Sequence, residues 1–164
     1  MGEPRQRADR EVTDAGTIPA KLRELLETFD GIEDMEERMS YLVSYAERFK
    51  TVPASVAAPP YPEEARVPYC ESEAYVWGLP AEGGRMRLYF AVGNPSGVSA
   101  RALSAILEKT LSGALRSEIA AVEPDIVNRI FRQNISMGKG MGLMGIVERV
   151  RNLARAPLPS KSTP

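Results

Sequence analysis

Five prolines lie in the stretch between Thr51 and Pro68, and this stretch limits the fold of the chain more than any other feature of its sequence. Each proline lacks a backbone N–H and fixes its own φ, so neither a helix nor a central strand can continue through the stretch. We therefore expect an extended loop that divides the chain into two parts and leads directly into Cys70.

The part before the loop has helical periodicity. Pro19 suits a first helical turn, and three leucines follow it at helical spacing, which predicts a helix over about 19–28. A longer apolar stripe predicts a second helix over about 33–49. Its members are Ile32, Met35, Met39, Leu42, Val43, Ala46 and Phe49.

The part after the loop begins with strand-like sequence. Tyr75, Val76 and Trp77 favour a strand, a pair of glycines follows at 83–84, and a second aromatic and β-branched run ends at Val92. This pattern is typical of a β-hairpin. Helical spacing then predicts helices over about 99–112, 115–121, 124–132 and 141–154, with a loop rich in glycine and methionine before the last of them.

This order of elements indicates the fold class. Helices, a loop, a hairpin and further helices, without β-α-β alternation, are typical of an α+β domain in which helices cover a small antiparallel β-sheet. We expect one such domain over residues 18–155. The tails, 1–17 and 156–164, are charged or rich in proline and serine and contain few apolar residues, so we expect both to be disordered.

A single cysteine and the absence of histidine restrict the chemistry. They exclude an intrachain disulfide, catalytic pairs that need histidine, and nearly every zinc or transition-metal site, and we expect no bound metal or cofactor. The formal net charge of −1 provides no positive field for nucleic acid or an anionic membrane. No apolar run approaches the roughly 20 residues that span a bilayer. We therefore expect a cytoplasmic protein whose partner is another protein.

Cys70 is the candidate functional residue. It stands where the proline-stiffened loop enters the first predicted strand, a position from which a thiol can be presented to a partner. The alternative is a structural cysteine, because free cysteine is among the most buried residue types and packs as a small hydrophobe. The residues around Cys70 leave both interpretations open.

The segment Gly140–Gly145 matches the dinucleotide-binding pattern GxGxxG and precedes a predicted helix. We reject that interpretation because the preceding residues, 133–137, do not form a convincing parallel strand. We expect instead that the glycines let the last helix pack closely, next to the Cys70 loop. Met137, Met141 and Met144, at near-helical spacing, are expected to fill the core rather than to bind a metal.

The string Val67-Pro-Tyr-Cys-Glu-Ser-Glu-Ala-Tyr-Val-Trp77 resembles the SufE family, in which a glycine-cysteine-x-serine stretch leads into a Val-Trp strand. The order of elements also resembles that family from about Leu22 to Ala154. The resemblance implies a SufE/IscU-like fold. It further implies that Cys70 accepts sulfane sulfur from the persulfide of a pyridoxal-phosphate cysteine desulfurase of the SufS type, stimulates that enzyme, and passes the sulfur to an iron–sulfur scaffold. Such a protein is a persulfide carrier rather than an enzyme with its own small-molecule turnover.

The resemblance also singles out residues around the cysteine. Ser72 belongs to the motif, Asn94 stands where the family usually has aspartate, and Lys139 stands where arginine is usual. Ordinary alternatives for the last two are a turn residue and a solvated charge. Tyr69 replaces the family's usual glycine before the cysteine, so the loop that meets a partner differs here.

Other functions remain as alternatives to sulfur transfer. The chain could be a non-catalytic interaction module in which the loop and hairpin bind a partner and Cys70 is incidental. A cluster scaffold of the IscU type is excluded, because one cysteine cannot hold a cluster.

Overall fold

The computed structural model describes residues 17–94 and 97–157. Within these residues no helix combines the length and the apolar character that a membrane crossing requires. The tails expected to be disordered lie outside the described residues, apart from residues 17, 156 and 157, so that expectation stays a prediction.

The helices are α1 (Ala20–Asp30), α2 (Met35–Glu47), α3 (Val98–Leu111), α4 (Arg116–Ala120), α5 (Ile126–Phe131) and α6 (Met137–Arg155); the strands are β1 (Ala74–Ala81), β2 (Arg85–Val92) and β3 (Ala114–Leu115).

The three strands form one antiparallel sheet in the order β1-β2-β3. β1 and β2 are the predicted hairpin, joined by a short 3-10 turn at Glu82–Gly84. Gly83 and Gly84 have φ of 70° and 75°, a left-handed conformation that glycine adopts without steric penalty. β3 was not predicted, because its two residues are too few to show an alternating pattern. The α+β class with a small antiparallel sheet is confirmed.

One face of the sheet forms the core. Met86, Leu88 and Phe90 alternate along β2 and are each at most 3% exposed, as expected for a strand with one buried face. Helix α3 packs against β2, and α6 packs against β1. Their buried side chains join the same cluster: Leu103, Ile106, Leu107, Ile146, Val147 and Val150. Each contributes about 1.5–3 kcal/mol by leaving water.

The proline-rich loop lies over the other face of the sheet. Tyr75 and Trp77 alternate with the buried residues of β1, and their rings lie 5.0 Å and 5.1 Å from the ring of Tyr61 in the loop. Near its start the loop is also fixed by the backbone N–H of Val52, which donates to the carbonyl of Phe90 at 2.8 Å. The loop is therefore anchored along its length, and it delivers the chain to Cys70 at a defined place.

The buried face of helix α2 differs from the apolar stripe that the sequence predicts. Met35, Met39 and Val43 are more than a third exposed, whereas the buried positions include Arg38 at 1% exposure. The Arg38 guanidinium donates to four backbone carbonyls, those of Phe29, Ile32, Arg129 and Ile130, at 2.5–3.1 Å. Burial lowers the pKa of Arg38, and the like charge of Arg132 acts in the same direction. The helix turns this face inward because the Arg38 guanidinium donates to carbonyls near the ends of α1 and α5, where intrahelical donors run out.

Helix α6 starts earlier than predicted and includes residues before 141, where a loop was expected. It begins at Met137, and the side-chain oxygen of Ser136 accepts from the backbone N–H of Lys139 at 3.2 Å as an N-cap. The glycine-rich segment is therefore helical, which removes the loop that dinucleotide binding needs. The expectation that Met137 and Met141 fill the core is wrong, since they are 85% and 69% exposed. Gly140, Gly142 and Gly145 of α6, rather than these methionines, face the rest of the domain.

Candidate functional site

Cys70 lies in the segment Pro68–Glu73, which we call the cysteine loop. Its base is closed by the backbone N–H of Val67, which donates to the carbonyl of Ala74 at 2.8 Å. Inside the loop, the N–H of Glu73 donates to the carbonyl of Cys70 at 3.1 Å. The backbone thus reverses direction at the cysteine.

The cysteine loop is tied to the residues that follow β2. The backbone N–H of Gly93 donates to the carbonyl of Glu73 at 2.9 Å, and that of Asn94 donates to the carbonyl of Ser72 at 3.1 Å. A Cβ atom at Gly93 would lie 2.7 Å from the Glu73 carboxylate and 3.1 Å from the Glu73 Cβ, so glycine permits this approach without displacing the Glu73 side chain. The hairpin therefore positions the cysteine loop from one side.

Two residues of the loop have strained backbones. Tyr69 and Glu73 have φ of 61° and 52°, a region that residues with a Cβ enter at a cost of about 1–2 kcal/mol each. The reversal at Tyr69 leaves its side chain 99% exposed, while Cys70, the next residue, is only 6% exposed. The loop therefore directs its aromatic ring outward and its thiol inward.

The Cys70 thiol borders a small cavity of about 140 Å³. Its lining includes all four residues that the sequence analysis selected, namely Cys70, Ser72, Asn94 and Lys139. The remaining lining residues are Glu71, Gly97, Ser99, Gly138, Gly142 and Leu143. The fold thus brings together side chains from the cysteine loop, the end of the hairpin and the start of α6.

Helix α6 buries the thiol. A Cβ atom at Gly142 would lie 3.5 Å from the Cα of Cys70 and 3.8 Å from its Sγ, so the helix backbone lies directly against the loop. The expectation that the thiol is presented to a partner is therefore wrong for this conformation. Periodicity and composition could not reveal this, because the burial depends on packing between two segments that are distant in the sequence. The expected close packing of the α6 glycines beside the loop is confirmed.

The chemistry of the site is that of a thiol alone. Within residues 17–94 and 97–157, no group of three or more cysteine, aspartate, glutamate or histidine side chains could hold a metal ion. The polar side-chain groups that line the cavity are two hydroxyls, an amide, a carboxylate and an ammonium. The hydroxyls, the amide and the ammonium can interact with a sulfur atom that becomes negatively charged, whereas the carboxylate opposes that charge.

The comparisons with known proteins bear on this site. The family model for SufE, the Fe-S metabolism associated domain, matches residues 23–154. The chain belongs to the SufE family. A solved relative of this SufE chain is a hypothetical protein from Thermus thermophilus, determined in solution, with 26% sequence identity and a TM-score of 0.65. The match covers 85% of this chain and 96% of that one. No curated protein matched the chain.

The SufE cavity also includes residues that sequence reasoning missed. Gly97 was not selected from the sequence, yet a Cβ atom there would lie 3.0 Å from the Oγ of Ser72 and 3.1 Å from the Asn94 carbonyl. Ser99 and Leu143 belong to α3 and α6 and carried no sequence signal beyond helical spacing.

Substitutions at Gly142 test how the SufE thiol is buried. Gly142→Ala places a Cβ at ordinary contact distance from Cys70, and helix propensity favours alanine by up to about 1 kcal/mol, so stability should be unchanged or higher. Gly142→Leu adds atoms where the cysteine loop lies, and overpacking of this kind costs about 1–3 kcal/mol. We expect the loop to shift and iodoacetamide to alkylate Cys70 about tenfold faster, which corresponds to about 1.4 kcal/mol.

The control is Arg155→Leu on the same helix. Arg155 is exposed and does not line the thiol cavity, so leucine there should leave the alkylation rate as in the wild type. Equal alkylation rates in Gly142→Ala and Gly142→Leu would show that α6 does not hold the thiol closed.

Proposed function

We propose that Cys70 accepts a sulfane sulfur as a persulfide from a cysteine desulfurase of the SufS type and passes it on for iron–sulfur cluster assembly. Membership of the SufE family places the chain in Fe–S metabolism. The observation that carries the finer proposal is the position of the single thiol against a cavity of about 140 Å³. A single water needs only roughly 10–15 Å³ measured in this way, so one additional sulfur atom fits beside Sγ.

The transfer is a thiol–persulfide exchange. The thiolate of Cys70 attacks the terminal sulfur of the donor persulfide, a new S–S bond forms on Cys70, and the donor's S–S bond breaks. The donor cysteine leaves as a thiolate, and the proton lost by Cys70 goes to solvent or to that thiolate. No external oxidant or reductant is required, since the oxidation state of the transferred sulfur is conserved.

The groups around the cavity suit the product. A Cys70 persulfide carries negative charge, and Gly138 and Lys139 of the first turn of α6 line the cavity, so the positive end of the helix dipole lies near it. In the proposal, the ammonium of Lys139 adds a positive charge, and Ser72 and Asn94 supply polar groups that orient the outer sulfur. These three are supporting residues, and Cys70 alone forms the covalent bond.

A buried thiol has to become accessible before it can meet a donor. The strain at Tyr69 and Glu73 lowers the free energy needed to move the cysteine loop, because opening releases part of it. The donor surface would stabilise the open loop, and the cavity would enclose the persulfide again after transfer. Removing sulfur from the donor cysteine also frees that enzyme for its next turnover, which is how the carrier stimulates it.

The proposal describes a carrier without substrate turnover of its own. A persulfide carrier requires a reduced thiol, so we propose the cytoplasm as its place of action and an iron–sulfur scaffold as its sulfur acceptor. The alternative, an interaction module in which Cys70 is incidental, is favoured by one observation, the full exposure of Tyr69. The two functions differ in whether sulfur becomes covalently bound.

Intact mass spectrometry tests the proposal. The protein is incubated with a cysteine desulfurase, pyridoxal phosphate and cysteine, and a mass gain of one sulfur atom that dithiothreitol reverses is the expected result. Because the chain has one cysteine, such a gain can lie only on Cys70. Desulfurase turnover should rise in parallel. No gain with any of several desulfurases would favour the interaction module.

A further inference from the structure

A second, larger depression lies along α6, next to the thiol cavity. This groove has a volume of about 560 Å³, and Gly142 lines both it and the thiol cavity. Its lining also includes Tyr69, next to Cys70 in the sequence. The remaining lining residues are Glu63, Glu64, Arg66, Pro68, Met141, Gly145, Glu148, Arg149 and Asn152. A segment bound here would thus lie beside the cysteine loop.

The groove has an exposed apolar rim. Tyr69 is 99% exposed and Met141 is 69% exposed, on opposite walls. The Tyr69 ring covers none of its own domain, although its backbone is held in an unfavourable conformation to place it there. Exposed aromatic and methionine side chains are typical of residues that become buried against a partner.

The groove also contains a cation that has no counter-ion in the described part of the chain. The Nε of Arg149 is buried and has no hydrogen-bond partner, and no carboxylate lies within 4 Å of the guanidinium among the described residues. Burial lowers the pKa of Arg149. The neighbouring Glu148 is already bonded to Arg151 at 3.0 Å. A partly desolvated guanidinium of this kind is best satisfied by a carboxylate, which it can bind through two parallel hydrogen bonds.

We propose that this groove is the docking site for a carboxylate-bearing segment of the sulfur donor, with Arg149 binding the carboxylate and Tyr69 acting as the apolar anchor. The inference rests on the proposed function and specifies where the donor is recognised. The three glutamates of the groove weaken it only in part, because two are paired and solvent screens the third. Glu148 and Glu63 are paired with arginines, and Glu64 is exposed to water. Arg149 and Tyr69 are then specificity-determining residues, because the covalent transfer does not need them.

The test compares sulfur transfer from a purified desulfurase to the wild type, Arg149→Met and Tyr69→Gly. We expect both variants to reach the wild-type yield of persulfide at saturating concentration, with KM raised at least tenfold. The KM of the wild type should rise with NaCl concentration, and that of Arg149→Met should rise much less. Tyr69→Gly removes the ring and the backbone strain together, so its thermal midpoint should not fall.

Arg155→Met is the matched control, since Arg155 is exposed on the same helix and outside the groove. An unchanged KM in both groove variants, with normal persulfide yield, would overturn the docking site and leave sulfur acceptance intact. If the wild type gains no sulfur, the proposed function fails, and calorimetric titration with the desulfurase decides whether the groove still binds it. A wild-type dimer that both substitutions dissociate would instead assign the groove to a second copy of the chain.

Discussion

Cys70→Ser is expected to form no persulfide and to leave desulfurase turnover at its unstimulated level. A hydroxyl is not an effective nucleophile toward a persulfide at neutral pH, and the chain has no other thiol. The fold should survive, because serine is nearly isosteric with cysteine and several polar groups line the cavity. We expect a loss of at most about 1–3 kcal/mol for the buried hydroxyl. Intact mass and thermal unfolding measure the two effects separately.

Cys70→Ala is the companion variant, because it introduces no buried polar atom and loses only the contacts of one sulfur. Both variants should bind the donor as tightly as the wild type does, since the proposed docking groove does not include Cys70. Full stimulation of the desulfurase by either variant would contradict the proposed function. That result would establish the interaction module, in which the thiol is incidental.

Arg38→Met is expected to produce the largest loss of stability, about 3–5 kcal/mol of the free energy of unfolding. Methionine fills much of the space but donates no hydrogen bond. The carbonyls of Ile32, Arg129 and Ile130 would then lose the Arg38 donor, and that of Phe29 would keep only the backbone N–H of Ile32. The thermal midpoint should fall by roughly 6–20 °C for a domain of this size. Urea unfolding followed by circular dichroism measures the change.

Arg38→Lys should recover only a fraction of this loss. A single ammonium cannot donate both to the carbonyls near the end of α1 and to those of α5, as the planar guanidinium does. Arg23→Met on α1 is the control, because Arg23 is exposed and its substitution should change stability by no more than about 0.5 kcal/mol. A similar small change in Arg38→Met would show that water replaces the guanidinium at little cost.

Much of the fold follows from local sequence patterns. The hairpin was predicted because its strands alternate around a glycine turn, and the helix over about 99–112 because its apolar stripe is unbroken; the structure has β1, β2 and α3 at these places. Helix α2 was located correctly, but its buried face was not. A buried arginine does not contribute to an apolar stripe, so helical spacing does not mark it as a core residue. Its four carbonyl partners lie in other segments of the chain, and a periodic pattern within one helix does not predict contacts with them.

The sequence identified residues of the candidate site, but it did not predict how they are arranged. Cys70 was selected from its position in the chain, and Ser72, Asn94 and Lys139 from the resemblance; the fold places all four on one cavity. The burial of the thiol was not predictable, because it depends on how closely α6 approaches the loop at Gly142. The helical conformation of the glycine-rich segment was missed for a related reason, since tertiary packing overrides the low helix propensity of glycine.

The closed base of the cysteine loop limits how far the sulfur can travel. Cys70 is three residues from Val67, which is fixed to Ala74 by a backbone hydrogen bond. A fully extended chain spans about 3.3–3.6 Å per residue, so the tether carries the cysteine no farther than roughly 10 Å from that anchor. Such a short arm cannot reach a deeply recessed centre in a partner while this base stays closed. Under the proposed function, the donor would therefore bring its own persulfide close to its surface, and the length of this loop would set the distance between the two proteins at the moment of exchange.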